Sequence, residues 1–434
     1  MAHPDSAETP PETPAAPAAS LAPTGSPAPA EPQVVPLTEP ADGIPDVVDT
    51  PEALAAVVAA FAAGTGPVAV DAERASGYRY GQRTYLVQLR RAGAGTAIID
   101  PVALPDLSGL SAALSGVEWV LHAASQDLPG LAEHGLVPDE IFDTELAARL
   151  LGMERVGLAA VVAEVLGLGL AKEHSAVDWS TRPLPAEWLR YAALDVELLV
   201  QVRDVLAQRL REQGKDEWAR QEFAAVRDAP PPPPRVEPWR RTSGLHAVRS
   251  TRGLAVVRAL WEARDADARA RDISPGRVLP DAALVAAGLA VPRSVTELAD
   301  LKAFSGRATR RRVAFWFAAV QRGLEVPDSE LPSPRGPRTD GPPPPRAWAD
   351  RDPAAAERLT AARALLHELS ERLHVPPENL LQPDLLRRLC WTPPEPVTAE
   401  AVAAALAAGG ARPWQVGLTA AHLADAFVTV HEPS

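Results

Sequence analysis

A single cysteine, Cys390, stands in the 434 residues, and only three of the 43 basic residues are lysines, Lys172, Lys215 and Lys302. One cysteine excludes a disulfide framework, and nine histidines without paired Cys or His spacing offer no structural zinc site. No basic stretch leads into an apolar segment at the N-terminus, and no run of about eighteen apolar residues escapes a charge. A protein without membrane spans, in a reducing cytoplasm, is the expected setting. Aromatic residues are also scarce, at 5%, although 46% of the chain is hydrophobic, enough to bury a large core divided between two or three domains.

The net charge of -13 is unevenly spread. Residues 1–49 hold eight acidic residues and no Lys or Arg, and they are Pro, Ala and Ser rich, so a disordered tail is expected there. Residues 240–330 reverse the balance, with sixteen basic and ten acidic side chains. Such a surplus fits a phosphate-backbone footprint, and it equally fits a solvated helical surface. Proline runs at 228–238 and 331–348 cannot continue a helix or central strand. They delimit three modules, at 50–227, 239–330 and 349–428, and the last two read as distant copies of one helical plan.

The first module opens with a helix pattern ending at Gly64. Three strand patterns follow, "PVAVDAE", "TYLVQLR" and "TAIID", separated by glycine-containing turns. A short strand from Trp119 to His122 runs into a helix, and residues 139–213 read as almost wholly helical. The order implies α/β (α+β) architecture, a mixed sheet flanked by helices.

Asp71 and Glu73 lie two apart at a strand end, so both project from one face. A D-x-E pair is by itself equally a solvated strand end. Asp127 begins the helix that follows His122, and Tyr191 and Asp195 sit at i and i+4 on one helical face. Each has an ordinary explanation alone: a first-turn acid, a core tyrosine, a solvent-facing acid. Together they supply clustered oxygen ligands for divalent ions and one residue to orient water, the inventory of two-metal phosphoryl transfer. Asp143, in "FDTELAARL", reads as a helix cap.

"VAVDAE", "HAASQD" and "YAALDVELL", with the flanks "TYLVQL", "IFDTELAARLLG" and "GLAAVVAEVLGLGLAKEHSAVDWSTRPLP", resemble the DEDDy 3′-to-5′ exonucleases, the ribonuclease D group above all. The resemblance implies a ribonuclease H-like exonuclease domain with Asp71, Glu73, Asp127, Tyr191 and Asp195 as its catalytic residues. Asp71, Glu73, Asp127 and Asp195 would hold two Mg²⁺ or Mn²⁺ ions, Asp71 bridging them, and Tyr191 would hold the attacking water. His122 and Gln126 would shape the nucleic-acid site. No organic cofactor is implied.

The second module, with Pro275, Val278, Leu279, Asp281 and Leu284 in a P-x-x-V-L-x-D-x-x-L pattern, is similar to the HRDC domain, an all-α nucleic-acid-binding module. Arg307, Arg310, Arg311 and Arg312 would contact the phosphate backbone; a solvated helix start fits them equally. The third module looks like a degenerate second HRDC-like domain, with Cys390 as a core residue. The implied activity is release of nucleoside 5′-monophosphates from RNA with a single-stranded 3′ end. Transfer RNA precursors are the implied substrate, and no obligate protein partner or membrane is implied. A DNA exonuclease and a catalytically silent RNA-binding scaffold are the alternatives.

Overall fold

The computed structural model describes residues 34–170, 176–336 and 341–431. Most of the expected tail, residues 1–33, and part of the "GLAKEHS" flank, residues 171–175, lie outside them. The described strands are β1 (Val35–Leu37), β2 (Val47–Val48), β3 (Thr65–Arg74), β4 (Thr84–Ala92), β5 (Gly95–Ile99), β6 (Glu118–Leu121), β7 (Glu140–Asp143) and β8 (Leu168–Leu170). Six of them form one sheet in the order β2-β5-β4-β3-β6-β7, and β1 pairs with β8 apart from it. β4 is antiparallel to both β3 and β5, whereas β6 is parallel to both β3 and β7. The sheet is therefore mixed, as the motif order implies.

β3 lies inside the sheet, and Val68, Ala69 and Val70 are fully buried. That explains why the strand reads as an unbroken apolar run rather than an alternation. The flanking helices are α1 (Pro51–Ala63), α2 (Ser108–Ala113), α3 (Leu128–Ala132), α4 (Thr144–Leu150), α5 (Leu158–Leu166), α6 (Ala186–Glu197), α7 (Leu199–Glu212) and α8 (Asp216–Arg227). Thr50 caps α1 by accepting from the Ala53 N–H at 3.3 Å, and Pro51 takes the first helical position, where no N–H is needed.

Two expectations are corrected. Residues 34–49 are not tail: β2 adds to the sheet beside β5, and Arg90 holds Asp42 at 2.7 Å and Glu197 at 3.1 Å. Main-chain pairing at a sheet edge needs little apolar side chain, so composition does not reveal it, and Pro36 is tolerated in the short two-stranded ribbon. Nor is 139–213 wholly helical, because β7 and β8 interrupt it. Strands of three or four residues are too short to register as a period-two pattern.

The second module contains α9 (Thr251–Arg271), α10 (Pro275–Val278), α11 (Asp281–Ala290), α12 (Val295–Asp300), α13 (Arg307–Arg311) and α14 (Val313–Glu325). The third contains α15 (Trp348–Arg351), α16 (Pro353–Leu373), α17 (Pro377–Leu380), α18 (Pro383–Trp391), α19 (Ala399–Ala408) and α20 (Pro413–His431). The two share one backbone plan. In each, a 21-residue helix ends on a left-handed residue, Asp272 or His374, followed by a four-residue helix opening on Pro275 or Pro377. Each then passes through an extended leucine and one further residue, Leu279–Pro280 or Leu381–Gln382, into the next helix. Among the described residues, no helix is long and apolar enough to cross a membrane.

Their attachment differs. The third module shares a continuous hydrophobic core with the first, whereas the second has its own around Trp316, Phe304 and Leu260. Trp414 stacks on Trp218 at 4.9 Å and donates from Nε1 to Glu222 at 3.0 Å. Lys215 is buried, and its Nζ donates to the Leu150 and Leu373 carbonyls at 2.7 Å each, closing the ends of α4 and α16 together. Gly152, at φ +74°, permits this contact, since a Cβ there would stand 2.5 Å from the His374 carbonyl oxygen. Lys215→Met leaves both carbonyls unpaired. Denaturant unfolding followed by tryptophan fluorescence should show a loss of about 1–3 kcal/mol. An unchanged midpoint would mean that water satisfies both groups.

Candidate active site

Three structural pieces converge on one cleft of about 440 Å³, lined by Asp71, Glu73, Arg74, His122, Gln126, Asp127, Glu145, Tyr191 and Asp195 among others. The end of β3 supplies Asp71 and Glu73 on the face that α6 covers. α6 supplies Tyr191 and Asp195 one turn apart. The turn between β6 and α3 supplies His122 and Asp127.

That turn is held by an unexpected brace. Asp143, at the end of β7, caps α4 by accepting from the Glu145 and Leu146 N–H groups at 2.9 and 3.2 Å. The same carboxylate accepts from the Ala123 and Ala124 N–H groups at 3.1 and 2.8 Å. Ala123 has φ +59°, a conformation an alanine rarely adopts, so the brace offsets a backbone cost of about 1–3 kcal/mol. The Asp-Thr pair signals the cap; its second task depends on the β6–β7 register, which sets Leu121 beside Asp143. Gly130 completes the placement, because a Cβ on it would lie 2.5 Å from Thr84 Oγ1 on β4. α3 thus approaches the sheet closely enough to bring Asp127 to the end of β3.

Asp71, Glu73 and Asp195 each offer an oxygen within 4.8 Å of the others. Burial pushes Asp71 up to about 6 and Glu73 up to about 10, the latter aided by the charges of Asp71, Asp195 and Asp127. Asp127 is pushed up to about 8 by burial and then by Asp71, and Asp195 rises well above the ordinary carboxylate range for the same two reasons. Carboxylates so close and so desolvated resist ionising together unless a cation joins them. All-oxygen donors of this kind match a hard divalent ion.

Arg74 is the nearby cation. The register shift between Glu73 and Arg74 turns its side chain toward Asp127, to 3.9 Å. Sequence reading passes over Arg74 and Glu145, although "DAER" sets Arg74 beside the acidic pair.

Tyr191 hydrogen-bonds Asp195, and burial followed by the Asp195 and Glu73 charges raises its phenol above the ordinary range. It therefore stays protonated at neutral pH. Its ring lies 6.3 Å from that of Trp179, a fully buried residue in the 176–185 segment. Arg182 fixes that segment by donating to Asp100 at 2.6 and 2.8 Å and to the Tyr85 carbonyl at 2.7 Å.

The second module docks on the loop that follows β3. Tyr80 O–H donates to Asp265 at 2.9 Å, the Ser274 N–H donates to the Tyr78 carbonyl at 2.9 Å, and the Arg277 guanidinium lies 4.1 Å over the Tyr78 ring. Arg307, Arg310 and Arg311 are exposed on α13. Arg312 departs from expectation: it forks onto Asp267 at 2.5 and 2.7 Å and sits 4.5 Å over Phe315. Its guanidinium is thereby committed to an internal carboxylate rather than offered to phosphate.

Comparison with known proteins comes from three directions. A family model described as 3′-5′ exonuclease matches residues 45–211, an HRDC domain model matches 253–320, and one described as the 3′ to 5′ exonuclease C-terminal domain matches 341–427. Ribonuclease D of Granulibacter bethesdensis is 31% identical over 332 residues, covering 74% of this chain and 80% of that protein. The crystal structure of a protein from Bifidobacterium adolescentis superposes with a TM-score of 0.84 at 38% identity, covering 91% of this chain and all of that one. That of Escherichia coli RNase D, titled an exoribonuclease involved in structured RNA processing, gives 0.62 at 25% identity over 88% and 98% of the two chains.

The raised carboxyl groups predict a stability profile. Glu73 in the folded chain, at about 10, keeps a proton that the unfolded chain, at 4.5, releases. The contribution of Glu73 to metal-free stability is thus greatest below 4.5 and falls as pH rises toward 10. Glu73→Gln removes this dependence and should raise the metal-free melting temperature more at pH 8.5 than at pH 5. A larger gain at the lower pH would contradict the assignment.

Proposed function

The chain belongs to the ribonuclease D family of 3′-to-5′ exonucleases, and on that premise we propose that it is a metal-dependent exoribonuclease releasing nucleoside 5′-monophosphates one at a time. The observation that carries the reading is the convergence of Asp71, Glu73 and Asp195 within 4.8 Å in an open cleft. Their donor chemistry fits Mg²⁺ or Mn²⁺. These three residues would hold one ion, and Asp71 with Asp127 would take a second, Asp127 mainly through its water shell. When bound, the ions supply charge neutralisation at the terminal phosphodiester and a more acidic attacking water.

The protein's own groups do the positioning. Tyr191 donates a hydrogen bond to Asp195, and its phenol oxygen has the acceptor chemistry to hold a water in line. Because its phenol stays protonated, it orients the water and does not deprotonate it. Arg74 shares the charge of Asp127 without joining the three-carboxylate cluster.

The substrate is RNA with a single-stranded 3′ end, and transfer RNA precursors are the substrate class we infer. Kinship with an exoribonuclease of structured RNA processing supports RNA, and exposed Arg307, Arg310 and Arg311 supply cations for its backbone. Module boundaries near 50–227, 239–330 and 349–428 suit this division of labour, with the first extended back to residue 34.

Purified protein is incubated with a 3′-overhanging RNA, or its DNA equivalent, in Mg²⁺, Mn²⁺ or EDTA. Products are resolved by length. RNA should shorten one nucleotide at a time from the 3′ end with metal alone. Asp71→Asn should be inactive, and Tyr191→Phe slower by roughly a hundredfold or more. Faster loss of DNA would favour the DNA exonuclease alternative, and two intact strands the binding scaffold.

A further inference from the structure

The hydrogen bonds around His122 determine which ring nitrogen carries the proton. Thr144 Oγ1 donates its only proton to the Leu121 carbonyl at 3.1 Å, since a carbonyl can only accept. With that proton on the carbonyl, the 2.9 Å contact between Thr144 Oγ1 and His122 Nδ1 runs the other way, with Nδ1–H donating. Burial pushes the imidazole down to about 4, so the ring is neutral at physiological pH. Glu145, whose charge would favour protonation, is held by Arg149 at 2.9 Å. Nε2 is left with a lone pair. Among the described residues no protein donor reaches it, and His122 is half-buried in the wall of the catalytic cleft.

We propose that His122 is a specificity-determining residue whose Nε2 accepts a hydrogen bond from a ribose hydroxyl of the 3′-terminal nucleotide. A lone-pair acceptor in that wall needs a donor from the substrate once bound substrate displaces solvent from it. Phosphate oxygens carry none at neutral pH, and base edges differ between the four nucleotides, which a stepwise exonuclease must all accommodate. The sugar hydroxyls are the donors common to every ribonucleotide, and the 2′-hydroxyl is the one that separates RNA from DNA. The β7–α4 junction builds this acceptor from outside the cleft: Asp143 fixes the turn and Thr144 fixes the tautomer.

The inference rests on the exoribonuclease reading, but its test is one of binding and not of turnover. Calorimetry with full-length protein and Ca²⁺ compares adenosine 5′-monophosphate with its 2′-deoxy and 3′-deoxy analogues. The wild type should lose about 5- to 10-fold in affinity for the analogue lacking the hydroxyl that His122 reads. The 2′ and 3′ arms identify which one that is. His122→Phe should bind all three nucleotides alike, and His122→Gln, whose amide oxygen can accept, should recover part of the preference. Folding damage lowers the fraction of protein that binds, which calorimetry reads as stoichiometry, and the ratio of affinities is read on the folded fraction alone.

Wild-type protein that binds all three equally, or His122→Phe that keeps the wild-type ratio, overturns the proposal. A second overturning result is independent of any variant: ¹⁵N NMR of the wild type at pH 7 showing the proton on Nε2 instead of Nδ1. Failure of the parent reading has another signature, intact RNA in the presence of metal.

Discussion

Mutual repulsion among the carboxylates of one cleft is the constraint on which the rest of this structure depends. Asp71, Glu73 and Asp195 are within 4.8 Å of one another, and Asp127 stands close enough for its charge to act on Glu73. Without a cation the arrangement is unfavourable, so the scaffold must oppose relaxation at every attachment. β3 does so by burial: Val68, Ala69 and Val70 anchor the strand immediately before Asp71. α6 does so through Ala192, Ala193 and Val196, all fully buried beside the acidic residue. The turn carrying Asp127 cannot rely on burial alone, and there Asp143 binds four backbone N–H groups. A carboxylate used as a backbone brace thus fixes the position of a carboxylate that lines the cleft.

Much of this was legible in the sequence because local rules carried it. The D-x-E spacing on a strand, the i, i+4 spacing of Tyr191 and Asp195, and the Asp-Thr cap at Asp143 each follow from a short-range periodicity or a single hydrogen-bond habit. What escaped depends on partners far along the chain. β2 at Val47–Val48 exists because β5 offers an edge some fifty residues later, and nothing in "PDVVDT" says so. Arg312 reads as one more cation in an Arg-rich run; its commitment to Asp267 requires α9 to pass beside it. Lys215 stands out in the sequence only as one of three lysines, and its burial between two helix ends depends on α4 and α16 meeting there.

The two helical modules show how one backbone plan takes different roles through different surfaces. Both tie the long helix to a later carbonyl through a buried arginine: Arg264 donates to the Leu279 carbonyl at 3.0 Å, just after the short helix, and Arg358 to the Cys390 carbonyl at 2.8 Å, in the last turn of α18. Beyond that internal device they diverge. The third module presents Trp414 to the first and merges with its core, and hydrophobic burial of this kind is largely insensitive to salt. The second presents Asp265, Asp272 and Arg277 to the loop of Tyr78 and Tyr80, an interface of hydrogen bonds and charge. Exposed charged contacts weaken as ionic strength rises, while buried apolar ones do not.

That contrast bears on the active site, because the docked loop is the direct continuation of β3. Glu73 and Arg74 end the strand, and Tyr78 and Tyr80 follow within seven residues of Glu73. Arg79 in the same loop donates to Ser180 at 2.7 Å, and the Tyr78 hydroxyl donates to the Ala176 carbonyl at 3.3 Å. The segment carrying Trp179, against which Tyr191 rests, is therefore gripped by the same loop that grips the second module. A displacement of that module would reach Glu73 through the loop and Tyr191 through Trp179. One polar interface thus connects through the chain to both sides of the cleft, the β3 carboxylates and Tyr191. The module best supplied with exposed arginines is the one whose docking bears on both.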